Sequence, residues 1–216
     1  MLLDVLFPER CLNCNTMIPN DNVVCEPCFE QIHFTHWNFD EEHLMKQKCN
    51  LLFPTENAYA LMQFEKESLA RKIVHDLKYR GREKIGKILS EWIINRLDFK
   101  NSKPDLLVSI PLHPKKQRKR GYNQLHLFTE KLSERFSIPY EHNLLKQNYY
   151  KKAQALKDRE DRTKVQNQFS LNRKIENQHI LLIDDVFTTG STMSSAAWEI
   201  LKSGNNKVSV LVMAVD

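Results

Sequence analysis

Two adjacent carboxylates, Asp184 and Asp185, end the apolar run of HILLIDDVFTTGSTM, and a turn rich in hydroxyls and glycine follows them. Carboxylates at the end of a buried strand can accept hydrogen bonds from ribose hydroxyls. They can also help to place Mg²⁺ that bridges those hydroxyls and a pyrophosphate. Backbone N–H groups in such a turn, and at the start of the helix after it, bind phosphate with the help of the helix dipole. Thr188, Thr189, Ser191 and Thr192 add hydroxyl donors, and Gly190 is expected to let the backbone approach a ligand closely. A plain strand–turn–helix with capping residues is the competing account.

Cys11, Cys14, Cys25 and Cys28 make a C-x2-C-x10-C-x2-C pattern, in which each pair can turn two thiolates toward one ion. Four thiolates suit tetrahedral Zn²⁺, and a closed site argues for a structural metal. An iron–sulfur cluster is the alternative. Pro19–Asn22 supplies the turn between the pairs. So small a unit cannot bury enough apolar surface alone, so it is expected to fold only with metal. Cys49 stands apart and reads as an ordinary thiol.

A third group is KKQRKR at 115–120, five basic side chains in six. Such a run is a solvated face or a contact for phosphate-rich ligands, nucleic acid included. Tyr122 beside it, and Tyr149, Tyr150, Lys151 and Lys152 further on, offer stacking faces and phosphate contacts to a single strand.

The elements that must hold these groups follow from periodicity. Leu69, Ile73, Val74 and Leu77 recur at helical spacing over Ser68–Tyr79, with Gly81 as a stop. A second helix covers Ile85–Leu97 and a third Gln124–Phe136. Leu106–Ile110 and His179–Ile183 read as buried strands, Ser191–Ser203 as a helix and Lys207–Val215 as a last strand. Strand, helix, strand in that order implies an α/β fold with a parallel sheet. Residues 36–60 look less regular. Residues 147–170 are polar and read as a long connection of the kind that forms binding loops. With only five glycines in the chain, those at 121 and 190 are expected to mark special backbone geometry.

The acidic segment resembles the phosphoribosyl pyrophosphate (PRPP) motif of type I phosphoribosyltransferases. That motif has four hydrophobic residues, two acidic ones and a Thr/Gly-rich phosphate loop. A wider resemblance, to the ComF family, rests on the four cysteines, LKYRG at Leu77–Gly81, IPLHPKKQRKRGYNQ at Ile110–Gln124 and the PRPP motif, in that order. It implies a zinc-finger-like module over residues 1–35, a connecting segment over 36–60 and a phosphoribosyltransferase-like domain over 61–216. It also implies a role in DNA uptake during natural transformation, beside a DNA-translocating helicase.

Carried over residue by residue, the PRPP site takes in Asp184, Asp185, Val186, Thr188, Thr189, Gly190, Ser191 and Thr192. Asp184 and Asp185 take the catalytic part, and Mg²⁺ enters with PRPP or another ribose 5-phosphate ligand. The stretch Ser109–His113 matches the pyrophosphate loop. His113, Lys115 and Lys116 then lie near the negative ligand, and Arg159 and Arg162 lie in a segment that forms a lid in such enzymes. Catalysis would displace pyrophosphate at the ribose C1, to an acceptor the sequence does not name. The other reading is a non-catalytic module for single-stranded nucleic acid, using Lys115, Lys116, Arg118, Lys119, Arg120 and Tyr122, with a vestigial or regulatory PRPP site.

Composition narrows the field. The 216 residues, 41% apolar and 27% charged, suit one medium domain and a small appendage. No apolar run approaches the roughly 20 residues of a membrane span. Asp4, Pro8 and Glu9 interrupt the start of the chain where a secretory signal needs an apolar core, so a cytoplasmic protein is expected, reaching the inner face of the membrane only through partners. A P-loop ATPase is disfavoured: GREKIGKI nearly matches its phosphate loop, but Ile88 replaces the magnesium-binding hydroxyl.

Overall fold

Ile180–Ile183 and Val208–Ala214 carry apolar side chains at successive positions, or nearly so. That pattern suits strands buried on both faces. The computed structural model describes residues 8–19, 21–79, 83–148 and 168–216, with the side chains of Tyr79, Glu83, Lys116, Lys119 and Arg120 left aside. In it these runs form the centre of a four-stranded parallel sheet. Strand β1 is Ala58–Gln63, β2 is Leu106–Ser109, β5 is His179–Phe187 and β6 is Lys207–Val215, in the order β1-β6-β5-β2. A two-stranded antiparallel pair, β3 (Leu145–Gln147) with β4 (Phe169–Leu171), stands beside it.

The helices are α1 (Glu26–Phe29), α2 (Leu44–Asn50), α3 (Leu69–Tyr79), α4 (Glu83–Ile94), α5 (Pro114–Arg120), α6 (Leu125–Phe136) and α7 (Ser191–Lys202). Helix α3 starts where Ser68 Oγ accepts the N–H of Arg71 at 3.3 Å, and it buries Leu69, Ala70, Ile73, Val74 and Leu77 on one face. It packs on β6 and α4. Helix α6 packs on α4, β2 and β5, and α7 on β4, β5 and β6. Among the described residues no helix is long and apolar enough to cross a membrane.

Three expectations change. Residues 36–60, read as irregular, contain α2 and the start of β1, which pairs with β6 from Ala58↔Val210 to Gln63↔Val215. An edge strand with only five buried positions, Ala58–Met62, carries too little period to stand out. Strand β5 does not stop at Ile183: β6 runs long enough to keep pairing it, through Asp184↔Val212, Val186↔Ala214 and Phe187↔Val215, so the two acidic residues lie inside the strand. The basic run at 114–120 is a short helix, begun by His113 and Pro114 and ended by Gly121 at φ 81°.

Neither sheet edge is left open. Phe34 bridges Met62 of β1, and the N–H of Gln63 donates to His33 O at 2.8 Å. On the far side Leu107 of β2 bridges Tyr140, with the N–H of Glu141 donating to Leu107 O at 2.9 Å.

Candidate phosphoribosyl and metal sites

The four cysteine sulfurs lie within 4.8 Å of one another. Zn–S bonds of about 2.3 Å in a tetrahedron require sulfurs about 3.8 Å apart, so the donor set fits Zn²⁺. Cys11 and Cys14 sit on a tight turn in which the N–H of Asn15 donates to Cys11 O, with Asn15 at φ 65°. Cys25 begins α1, and Cys28 lies one turn on. The Asn13 amide approaches two of the sulfurs, its backbone N–H donating to Cys11 Sγ and its Nδ2 to Cys28 Sγ, both at 3.4 Å. The Thr16 hydroxyl, 3.2 Å from Cys14 Sγ, pulls that exposed thiol down to about 6, toward the thiolate form that binds metal. Several thiolates this close repel one another unless a cation sits between them. Zinc here is structural, and no fourth position is left open for chemistry.

The module is tied to the rest of the chain. Phe29 packs edge-on against Trp92 of α4 at 5.1 Å, and Lys72 of α3 donates to Asn13 Oδ1 at 2.7 Å.

The acidic pair is built from distant pieces of sequence. Asp185 is 8% exposed, and two other segments hold its oxygens. Lys78 Nζ of α3 lies 2.8 Å from Oδ1, and Gln124 Nε2, just before α6, donates to Oδ2 at 2.9 Å. Asp184 Oδ1 accepts the N–H of Asp185 at 2.8 Å.

Residues 122–124 act as a clasp. The Tyr122 hydroxyl donates to Leu77 O at 3.0 Å, Asn123 Nδ2 to Ile110 O at 3.2 Å, and Gln124 to Asp185. Three consecutive side chains therefore join the three segments singled out in the sequence. Tyr122 thereby has its hydroxyl committed to α3.

A cavity of about 360 Å³ opens over this junction. Asp184, Asp185, Val186, Thr188 and Thr192 line it from β5 and α7, with Lys78 and Ile110–His113 on other sides. Gln147 and Gln168, on either side of 149–167, line it as well. Thr188, Thr189 and Ser191 are exposed, and Thr189 Oγ1 donates to Ser191 Oγ at 3.3 Å. Gly190, the residue before α7, has no side chain to cap the helix, so among the described residues its first N–H groups are left toward the turn.

Gly190 stands at φ 74°, the special backbone position expected of it, and a Cβ there would crowd Leu52 Cδ1 and lie 2.7 Å from Phe187 Cζ.

His113 lines the cavity and caps α5, its Nδ1 accepting the N–H of Lys115 at 3.2 Å. Lys115 and Arg118 are exposed on α5 and do not line the cavity. The side chains of Lys116, Lys119 and Arg120 fall outside the described residues, as do Arg159, Arg162 and residues 149–152. Sequence reasoning missed Lys78 and Gln124. Both stand in segments it quoted, LKYRG and GYNQ, without giving them a task.

Behind the loop, fully buried Ser109 meets His142 Nδ1 at 3.1 Å, and His142 Nε2 lies 3.2 Å from Glu130 Oε1. His126 stacks on His142 with ring centroids 3.8 Å apart. Burial first, and then the neighbouring His142, push His126 down to about 4.

A larger cleft, about 870 Å³, runs between the cysteine turn and α3. It gathers none of the acidic-loop residues. Two of its cations are engaged locally, Lys72 with Asn13 and Arg71 with the Lys66 carbonyl, so the smaller cavity is the better candidate.

Residues 2–39 match the double zinc ribbon domain; they contain four cysteines, enough for one such site. The chain is 28% identical over 146 residues to DNA utilization protein YhgH of Escherichia coli O157:H7, covering 64% of this chain and 63% of that one. It is 32% identical to Competence protein F of Haemophilus influenzae over 117 residues, 51% of this chain and 50% of the other. Against Competence protein ComFC of Bacillus subtilis it is 33% identical over 156 residues, 71% of this chain and 60% of that protein. The matches thus span less than two thirds of these relatives' length.

The resemblance to the ComF family holds, with homologues that carry competence names. Among solved structures, a purine phosphoribosyltransferase from Pyrococcus horikoshii overlaps 64% of this chain and 75% of its own at a TM-score of 0.37 and 14% identity. Adenine phosphoribosyltransferase from Leishmania tarentolae overlaps 64% and 74%, at 0.37 and 13%. Likeness at that level says nothing about ligand or chemistry.

Proposed function

We propose that the 360 Å³ cavity binds PRPP with Mg²⁺, and that the chain serves DNA uptake in natural transformation. The observation that carries the ligand is the meeting of Asp184, Val186, Thr188 and Thr192 around one cavity, at the uncapped start of α7. A 5′-phosphate accepts hydrogen bonds from the α7 amides and from the hydroxyls of Thr188, Thr189, Ser191 and Thr192, across Gly190. Asp184 and Asp185 face the ribose end. Asp185 reaches it already neutralised by Lys78, so Asp184 is the carboxylate that meets ribose hydroxyls and Mg²⁺. Mg²⁺ keeps most of its water and is carried largely by the ligand's phosphates, so it asks few carboxylates of the protein. It would offset charge on the departing pyrophosphate. His113 lines the cavity on the Ile110–His113 loop that matches the pyrophosphate loop, and the resemblance to type I phosphoribosyltransferases adds Lys115, Lys116, Arg159 and Arg162 as candidates for the pyrophosphate. Transfer to an acceptor follows only if one enters beside C1.

The names of the relatives support the pathway, and the ComF resemblance supports a DNA-translocating helicase as partner. The work is assigned to the cytoplasm. The division into a zinc module at 1–35, a connector at 36–60 and a ligand-binding domain at 61–216 goes with this reading.

Calorimetry of zinc-loaded protein with PRPP and Mg²⁺ tests the site. Wild type should bind, and Asp184→Asn should weaken binding by about tenfold or more. Absence of heat from PRPP, with no competition by ribose 5-phosphate, would sink the reading.

A second reading has one observation in its favour: α5 exposes Lys115 and Arg118 together. Single-stranded DNA held there should bind with steep salt dependence that Lys115→Gln/Arg118→Gln reduces. Binding indifferent to salt would count against it.

A further inference from the structure

Lys78 is conspicuous in the cavity wall because its position serves two purposes. It is the ion-pair partner of Asp185, at 2.8 Å, and its side chain, 24% exposed, lines the cavity. Asp185 receives Gln124 on Oδ2, and Lys78 serves Oδ1. Lys78 also supplies charge compensation, since a carboxylate this buried is costly without a cation. An ammonium carries three donors, and Asp185 takes one. The remainder of its charge and hydrogen-bonding capacity lies at a cavity wall shared with Asp184 and the Ile110–His113 loop.

Its location within the cavity is also informative. The phosphate-type donors, Thr188, Thr192 and the α7 amides, follow Asp185 by three residues or more on the β5–α7 side. Lys78 arrives from α3, on the side where Tyr122 ties Leu77 to the segment after α5. The cavity therefore receives neutral donors from one element and a cation from another.

We infer that Lys78 is a diphosphate-binding residue: it holds the pyrophosphate at the C1 end of the ligand, and Asp185 holds Lys78 in place for it. This rests on the PRPP reading above and sharpens it. The ligand class is a phosphorylated sugar with a second anionic group at C1, distinguished from the simple sugar phosphate by one lysine. Lysine is a point-charge phosphate binder.

The test is calorimetry on the zinc-loaded full chain with Mg²⁺ and three probes: PRPP, inorganic pyrophosphate and ribose 5-phosphate. Lys78→Gln should weaken PRPP and pyrophosphate by about tenfold or more, leave ribose 5-phosphate within about twofold, and be largely restored by Lys78→Arg. Lys78→Gln strands a buried carboxylate, so its thermal midpoint is measured beside it, and the wild type is labelled at lysine with and without each probe; pyrophosphate should shield Lys78 and ribose 5-phosphate should not. An equal loss for PRPP and ribose 5-phosphate in folded Lys78→Gln, or no shielding by pyrophosphate, would make Lys78 a structural counter-ion only and overturn the inference. So would unchanged PRPP binding. A wild type that binds ribose 5-phosphate and PRPP equally overturns the inference and leaves the phosphoribosyl site standing, whereas a wild type silent to all three probes overturns both.

Discussion

The cysteine cluster and the acidic cavity proposed to bind PRPP are assembled in opposite ways. Cys11 to Cys28 lie within one short stretch, and two local turns bring their sulfurs within 4.8 Å. Among the described residues the module adds only Ile18, Val23, Val24 and Ile32 to the buried core besides its cysteines, so the ion is expected to supply much of its folding energy. The cavity draws on Lys78, His113, Gln124 and residues 184–192, which the parallel sheet and the 122–124 clasp bring together. Its walls are carried by the core. The first site leans on its metal for shape, and the second on the fold.

Removing the metal is the strongest way to break that contrast. Chelation, or Cys25→Ser, should cost the module metal-linked folding energy on the order of 10 kcal/mol. Amide exchange would then speed up over residues 9–32 while β5 and β6 stay protected. Uniform loss of protection across the sheet would mean the two regions are one cooperative unit.

Gly190→Ala strikes the sheet-held site. The left-handed backbone and the clash with Leu52 and Phe187 should together cost about 3 kcal/mol, read as a lowered denaturation midpoint. Because Leu52 Cδ1 is the nearer neighbour, Leu52→Ala in the same chain should recover part of that loss. Additive losses would place the cost in the backbone alone.

The smallest effect is one of pH. His126 is held near 4 in the fold against an ordinary 6.5, so its contribution is complete above pH 6.5 and is lost as pH falls toward 4. Stability should drop over that window by about 1–2 kcal/mol from this group, discounted for its partial exposure. His126→Phe keeps a ring on His142 and should flatten the drop; an unchanged slope would assign it elsewhere.

The contrast also explains what could be read from sequence. The cysteine site was legible because its ligands and their spacing are contiguous, and so was the β5–α7 loop, whose hydroxyls and glycine sit in one run. The core helices α3, α4 and α6 followed from their apolar spacing. Edge strand β1 did not, because its partner β6 lies some 150 residues away. Lys78 and Gln124 were illegible for the same reason. Each is an ordinary polar residue on a helix or turn until the sheet sets Asp185 between them. Gly190 was legible as a special backbone position, though its true neighbour, Leu52, comes from a segment that looked irregular.

The contact of Phe34 with Met62 carries a consequence for the protein's solubility. The chain at 33–35 leaves the zinc module and lies along β1, where the N–H of Thr35 donates to Leu61 O. An uncovered strand edge recruits other strands, and β1 is almost wholly apolar. Zinc starvation would therefore do more than melt a small appendage: by loosening the strip that shields β1, it would turn a capped sheet edge into a seed for aggregation.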